Sequence, residues 1–419
     1  MIICMIMDQY YAENNGTTVS ARRFVEKLRE RGHEVRVVTT GKGGKDMYIV
    51  PQYKYGLISY VASWQGMAFG KPDKEVLRRA ITGCDVVHCY MPFKLSSAAR
   101  KMAKQLGVPC TAAFHVQPEN ITYNCGLKSL GWTNSIVYEG FRQAFYKKIE
   151  CVHCPSEFIA NELRSHHYSN NLYVISNGVQ PAFKPQTVER PEELKGKFLV
   201  LMIGRFAVEK RQTVLIKAIA QSKYRDDIVL ILAGAGPTEH KLRALSDELH
   251  VNTIFGFYNQ QDLIKTINMC DLYVHAADVE IEAISCIEAF SCGLVPVICN
   301  SDKSATKQFA LDDRSLFKVN DSEDLARKID YWYEHEDEKK VMSVKYIEHG
   351  KQYSIENSIT KFENMLKEAI GLFRKRHPNC TPEFTDSETD TDSIEQQEGE
   401  MSMEEYLTQP QPATPIVPL

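Results

Sequence analysis

The stretch Phe198-Leu-Val-Leu-Met-Ile203-Gly204-Arg205-Phe206 decides the fold. Six apolar residues ended by a glycine read as a strand buried on both faces that runs into a tight turn, the mark of a parallel sheet covered by helices. Downstream, the runs Ile228–Ala233, Thr253–Phe257, Leu272–His275 and Val295–Cys299 alternate with amphipathic stretches at Arg211–Gln221, Thr238–Leu249, Gln260–Met269 and Glu282–Cys292. Upstream the same alternation predicts strands at Met1–Met7, Glu34–Thr39, Asp85–Tyr90, Cys110–His115, Cys151–Pro155 and Leu172–Ser176. The helices there fall at Thr17–Arg31, Leu95–Leu106, Asn134–Ile149 and Glu157–His166. Asn177-Gly178 and a segment punctuated by Pro181, Pro185 and Pro191 separate the two series. The expected architecture is therefore α/β: two Rossmann-like domains, 1–180 and 181–354, facing a cleft, with ligands beyond the carboxyl ends of the strands. Ile355–Arg374 predicts a helix about 30 Å long, and 355–376 is expected to pack back on the first domain.

The composition suits two packed cores: 419 residues, 43% hydrophobic, 10% aromatic and 25% charged. The longest apolar run, Met1–Met7, is far short of the roughly 18 residues of a membrane span and lacks a basic leader, so it reads as a strand and not a signal peptide. The net charge of −4 is uneven, because Thr381–Leu419 holds ten acidic residues and no Lys or Arg, leaving residues 1–380 at +6. A mildly basic body suits a phosphate-bearing ligand or an anionic lipid surface, and its charge is too weak and scattered for nucleic acid. Twelve irregularly spaced cysteines predict free thiols in a reducing cytoplasm. Cys151-Val-His-Cys154 lies on an expected strand, where positions three apart point to opposite faces, which argues against a metal or redox pair. Residues 377–419, rich in Glu, Ser, Thr, Gln and Pro, are expected to be a disordered tail. Asp390-Thr391-Asp392 inside it has no strand end to hold a metal.

Three groups of residues carry chemistry. Asn14-Asn15-Gly16-Thr17 opens the first helix, where a glycine admits an anion to free N–H groups, although a plain turn and cap would look the same. Gly204-Arg205-x4-Lys210 and Gly234-x-Gly236-Pro237 follow successive strands of the second domain and place glycines, two cations and helix starts at one rim, as a diphosphate clamp requires. The bland alternative is tight loops with solvated cations. Glu280-x7-Glu288, with Glu282 between, offers carboxylates for sugar and ribose hydroxyls. The helix dipole alone would account for Glu282 at a helix start, and accounts poorly for Glu288 in an apolar stretch.

Asn177-Gly178-Val179, Gly204-Arg205-x4-Lys210, Gly234-x-Gly236-Pro237 and Glu280-x7-Glu288-Ala-x3-Gly293-x2-Pro296-Val297, in this order, resemble family-4 retaining glycosyltransferases of the GT-B fold over roughly residues 1–370. Phe114-His115-Val-Gln-Pro-Glu-Asn120 resembles the family's histidine loop, and the general look is of bacterial diacylglycerol glucosyltransferases and envelope-polysaccharide glycosyltransferases. The resemblance implies that Arg205 and Lys210 neutralise the leaving diphosphate and that Glu288 holds the ribose. It implies that Glu280 and His115 contact the transferred sugar, and that Gly16, Gly204, Gly234, Gly236, Ser285, Cys286 and Ile287 complete the donor site. No metal or other cofactor is implied, because cations and helix dipoles supply the electrostatics. Ile281-Glu282-Ala283 departs from the family's Gly-Phe-Gly-like residues, which leaves the donor sugar open.

The expected activity is transfer of a hexose from a nucleotide sugar, UDP-glucose first, to a membrane lipid such as diacylglycerol or to a lipid-linked glycan, by a cytoplasmic enzyme at the inner face of the membrane. The alternatives are a glycan-building transferase using UDP-GlcNAc or GDP-mannose, a nucleotide-sugar epimerase, and a non-catalytic sugar-nucleotide-binding protein. On the acceptor side, Tyr138–Lys148 mixes aromatics and cations at helical spacing and reads either as a lipid-docking helix or as core aromatics with solvated lysines. Tyr53, Tyr55, Tyr60, Trp64 and Phe69 read as an acceptor path or a packed loop.

Overall fold

A computed structural model describes residues 1–11, 16–53, 68–119 and 131–378. Asn14, Asn15, Tyr55, Tyr60, Trp64, Asn120 and the acidic tail lie outside the described residues.

Seven parallel strands form the first sheet in the order β3-β2-β1-β4-β5-β6-β7: β1 Ile2–Ile6, β2 Glu34–Thr39, β3 Met47–Ile49, β4 Val86–Cys89, β5 Cys110–Ala113, β6 Cys151–Cys154 and β7 Asn171–Val174. Helices α1 Gly16–Glu30, α2 Lys74–Ile81, α3 Lys94–Gln105, α4 Gly131–Ala144 and α5 Glu157–Ser165 connect them. The continuous apolar runs are explained by burial on both faces. Ile3, Met5, Val35, Val37 and Val86 join one core cluster, while Cys4, Ile6, Val38, Val87 and Cys89 join the other. Cys151 and Cys154 fall in these two separate clusters, so the Cys-x-x-Cys pair is split by the sheet. The edge strand β3 escaped the sequence reading because only three residues pair with β2, from Val37–Met47 to Thr39–Ile49.

The second sheet is also parallel, in the order β10-β9-β8-β11-β12-β13: β8 Phe198–Ile203, β9 Ile228–Ala233, β10 Thr253–Gly256, β11 Leu272–His275, β12 Pro296–Cys299 and β13 Leu316–Phe317. Its helices are α6 Gln212–Gln221, α7 Glu239–Glu248, α8 Gln260–Met269, α9 Ile284–Ser291, α10 Ser322–Glu334 and α11 Glu336–Gly350. The sequence reading missed α10 and α11. The second opens on five charged residues, Glu336-Asp-Glu-Lys-Lys340, and buries only Met342, Tyr346 and Gly350.

The chain passes between the sheets twice, side by side. Val179 N–H donates to Tyr353 O at 2.8 Å, and Ile355 N–H returns to Val179 O at 2.9 Å. Gly178 sits at φ +76°, and a Cβ there would lie 2.7 Å from Ile355 Cα, so only glycine fits the crossing. Helix α12, Ile355–Arg376, then lies on the first domain, burying Ile355, Ile359, Phe362, Met365 and Leu366 in the cluster of Ile3 and Phe24.

Helix α4 ends sooner than expected and gives way to a 3-10 turn at Tyr146–Lys148. Tyr138, Phe141, Phe145 and Tyr146 are fully buried, whereas Lys147 and Lys148 are exposed. The aromatics are core, and no apolar face of them remains for lipid. No helix among the described residues is long and apolar enough to cross a membrane.

Candidate active site

The carboxyl ends of both sheets face each other, and the sequence-predicted residues gather there. After β8 the chain turns at Gly204, where an added Cβ would meet nothing within 4 Å. Gly234 and Gly236, after β9, lie against this turn. Their Cβ atoms would fall 2.0 Å from Gly204 O and 2.4 Å from Phe206 O. These two glycines therefore let two loops close on each other, a packing reason that stands beside any phosphate contact.

The two cations are held by carboxylates. Arg205 donates to Glu209 Oε1 at 2.8 Å, and Glu209 is itself buried with Oε2 lacking a hydrogen-bond partner among the described residues. Lys210 donates to Glu280 Oε1. His275 Nε2 approaches the same oxygen at 3.4 Å, while Tyr273 OH lies 3.2 Å from His275 Nδ1. Burial pushes the Glu280 carboxyl up, but Lys210 and His275 together outweigh it and hold it down to about 2. Next to them Arg211, at φ +57°, brings Nη2 within 2.6 Å of Asp278 Oδ2. None of His275, Arg211 or Asp278 stood out in the sequence, because a His in a strand and an Arg beside a helix start carry no pattern.

The Glu280–Glu288 segment is not one helix. Ala283 takes φ +66° and delays α9 to Ile284, so Glu282 stands in the loop and the helix-dipole reading of it is overturned. Instead Glu282 Oε2 accepts from Asn177 N–H at 2.9 Å and Asn177 Nδ2 at 2.7 Å. Ser156 Oγ donates to Ile281 O at 2.6 Å, and Ile281 packs on the first-domain core. The unusual Ile-Glu-Ala triplet thus joins the two domains. Burial raises Glu282 to about 7.

Glu288, on α9, does not lie open to the cleft. Arg23 of α1, from the opposite domain, donates to its Oε1 at 2.9 Å, and both side chains are nearly excluded from solvent. Burial pushes Glu288 up while Arg23 pulls against it. Ser285 Oγ accepts from Tyr273 OH at 3.1 Å. Cys286 and Ile287 are fully buried in the core, which leaves only their backbone for a donor.

From the first domain, His115 follows β5 and is buried, its ring stacked on Tyr90 with centroids 5.3 Å apart and set edge-on to His153 at 5.2 Å. Burial and His153 push it well below the ordinary histidine value, so it is a neutral imidazole whose Nε2 has no hydrogen-bond partner among the described residues. Two residues on, Gln117 Nε2 donates to Lys303 O across the cleft at 3.0 Å. Gly16 is the first residue of α1, with open space where a Cβ would be.

Residues 14–183 match the family described as Glycosyltransferase Family 4, and residues 184–351 match the Glycosyl transferases group 1 family. The chain belongs to the family-4 glycosyltransferases. This glycosyltransferase is 24% identical over 325 residues to the alpha-monoglucosyldiacylglycerol synthase of Streptococcus pneumoniae, covering 72% of this chain and 71% of that one. It is 51% identical to the solved catalytic domain of the cholesterol-alpha-glucosyltransferase of Helicobacter pylori over 37% of this chain and 99% of that one, with a TM-score of 0.35. Anabaena HepE, solved with UDP and glucose, is 15% identical, superposes with a TM-score of 0.69 over 88% of this chain and 100% of that one, and has the same GT-B fold.

Proposed function

We propose that this glycosyltransferase moves glucose from UDP-glucose, with retention, onto the hydroxyl of a membrane lipid, diacylglycerol being the acceptor named for the pneumococcal relative. The observation that carries the reading is the cluster of Arg205, Lys210, Glu280 and His275 at the ends of β8 and β11. In the free protein Lys210 is paired with Glu280. A diphosphate entering beside Gly204 offers Lys210 and Arg205 a stronger partner and frees Glu280 for the sugar hydroxyls. When the bond from the sugar to the diphosphate breaks, charge grows on the departing oxygen. Two fixed cations in a half-buried site then act on the barrier more than on ground-state binding. Neutral His115, with an open ring nitrogen on the facing domain, can hydrogen-bond a sugar hydroxyl without adding charge. Glu288 retains a second carboxylate oxygen for the ribose. The cations do the work that would otherwise fall to a metal.

The test is nucleotide release from UDP-glucose, UDP-GlcNAc and GDP-mannose, each with vesicles containing diacylglycerol, cholesterol or neither, and with the lipid product identified by mass. The expected result is UDP release from UDP-glucose that depends on lipid and yields a glucosylated lipid. Turnover of free UDP-glucose to an epimer, or transfer of mannose or N-acetylglucosamine instead, would replace the reading.

A further inference from the structure

A small cavity lies in the first domain, at the carboxyl ends of β1 and β4. Its walls include Met7, Ala21, Tyr90, Met91 and Phe93, with Asp8 and Thr18 as polar members. Asp8 is 5% exposed. Its Oδ1 accepts from Gly70 N–H at 2.8 Å, and its backbone carbonyl accepts from Thr40 Oγ1 at 2.7 Å, so the residue is pinned from behind. Oδ2 is buried and has no hydrogen-bond partner among the described residues. A buried carboxylate oxygen left in that state is costly unless a ligand or water supplies the missing bond. Burial accordingly pushes Asp8 up to about 7. The cavity holds about 20 Å³, room for roughly one water-sized group.

Two contacts place this cavity beside the reaction centre. Tyr90 forms part of its wall and stacks on His115. Thr18 and Ala21 line it from α1, and Arg23 on the same helix reaches Glu288.

We propose that this cavity is the subsite for the acceptor hydroxyl: Asp8 Oδ2 holds the hydroxyl group of a lipid alcohol whose carbon skeleton stays outside it. The inference rests on the lipid-acceptor reading above and adds to it the residue that positions the attacking oxygen. Asp8 is assigned to placement of the acceptor, since none of the groups proposed above for the diphosphate and sugar bonds to its carboxylate.

The experiment uses the full chain with UDP-glucose and with diacylglycerol or cholesterol in detergent micelles. It measures KM for lipid, KM for UDP-glucose, and UDP release without lipid. Asp8→Asn keeps an oxygen for Gly70 N–H but removes the charge. It is expected to raise the lipid KM at least tenfold while donor KM and lipid-free UDP release stay within twofold of the parent. Ala68 also lines the cavity, and Ala68→Val narrows it from that wall with Asp8 untouched, so it should raise the lipid KM even where Asp8→Asn melts early. Unchanged lipid KM in both variants overturns the subsite alone, as does an equal rise in donor and lipid KM. If the parent protein releases UDP but glucosylates neither lipid, the lipid-acceptor reading itself falls, and the subsite with it.

Discussion

Arg23 and Glu288 form a buried ion pair, 2.9 Å long, between α1 of one domain and α9 of the other. One carboxylate thereby joins the two domains and is also the group proposed above for the ribose. Removing one partner of such a pair leaves the other buried and charged, which costs about 3 to 5 kcal/mol. Arg23→Gln should lower the melting temperature by several degrees and raise the donor KM about tenfold, as read by thermal unfolding and donor titration. If neither quantity moves, the pair does not link domain closure to the donor.

Arg205→Ala and Lys210→Ala should each reduce kcat about 100-fold, the loss of roughly 3 kcal/mol expected for one preorganised group. Folding should persist at a lower melting temperature, because both side chains are partly exposed but each change leaves Glu209 or Glu280 without its cation. Transfer by the parent protein should also survive excess chelator. Near-normal kcat in either folded variant would remove the clamp.

Glu282 titrates in an unusual window. Its ordinary value is 4.5 and burial raises it to about 7 in the folded chain. Between these values the folded state keeps a proton that the unfolded state has released, so this group's contribution to stability falls as pH rises and is fully lost above 7. The total is about 3 kcal/mol. Glu282→Gln keeps an oxygen for Asn177 and removes the titration. Its advantage in melting temperature over the parent should therefore grow from pH 5 to pH 8, whereas parallel curves would contradict the buried carboxyl.

Three histidines act in the opposite sense. His88, His115 and His153 are buried side by side, and burial depresses all three, His153 to about 4. Their contribution is present above pH 6.5 and is lost as pH falls from there toward 4, because the unfolded chain takes up protons first. His88→Leu leaves Thr111 bonded to Val87 O. It should flatten the pH dependence of unfolding free energy by about one proton between pH 6.5 and 4.5, measured by denaturant titration. An unaltered slope would show that His88 is not buried neutral.

The glycines separate packing from ligand approach. Gly236→Ala would drive a Cβ against the Phe206 backbone and should destabilise the second domain and abolish transfer together. Gly16→Ala meets no atom. It should leave the melting temperature unchanged and raise the donor KM, provided that phosphate passes over the start of α1. An unchanged donor KM would assign Gly16 to the turn alone.

The sequence by itself determined the two parallel-sheet domains, since uninterrupted runs such as Phe198–Ile203 have no other stable setting than a sheet covered on both faces. It also placed Gly204, Arg205, Lys210, Gly234 and Gly236 at one rim, because loops that follow neighbouring strands of one parallel sheet emerge at one edge. Periodicity carries no information about partners far along the chain. Only the tertiary structure joined Arg23 to Glu288 and set Glu282 on Asn177, pairings that span 265 and 105 residues. The same limit hid the left-handed turn at Ala283, which depends on Ile281 docking on the facing domain, and the open carboxylate oxygen of Asp8, which depends on Gly70 arriving behind it. Burial and the closing of the cleft create these relationships, and both belong to the folded chain alone.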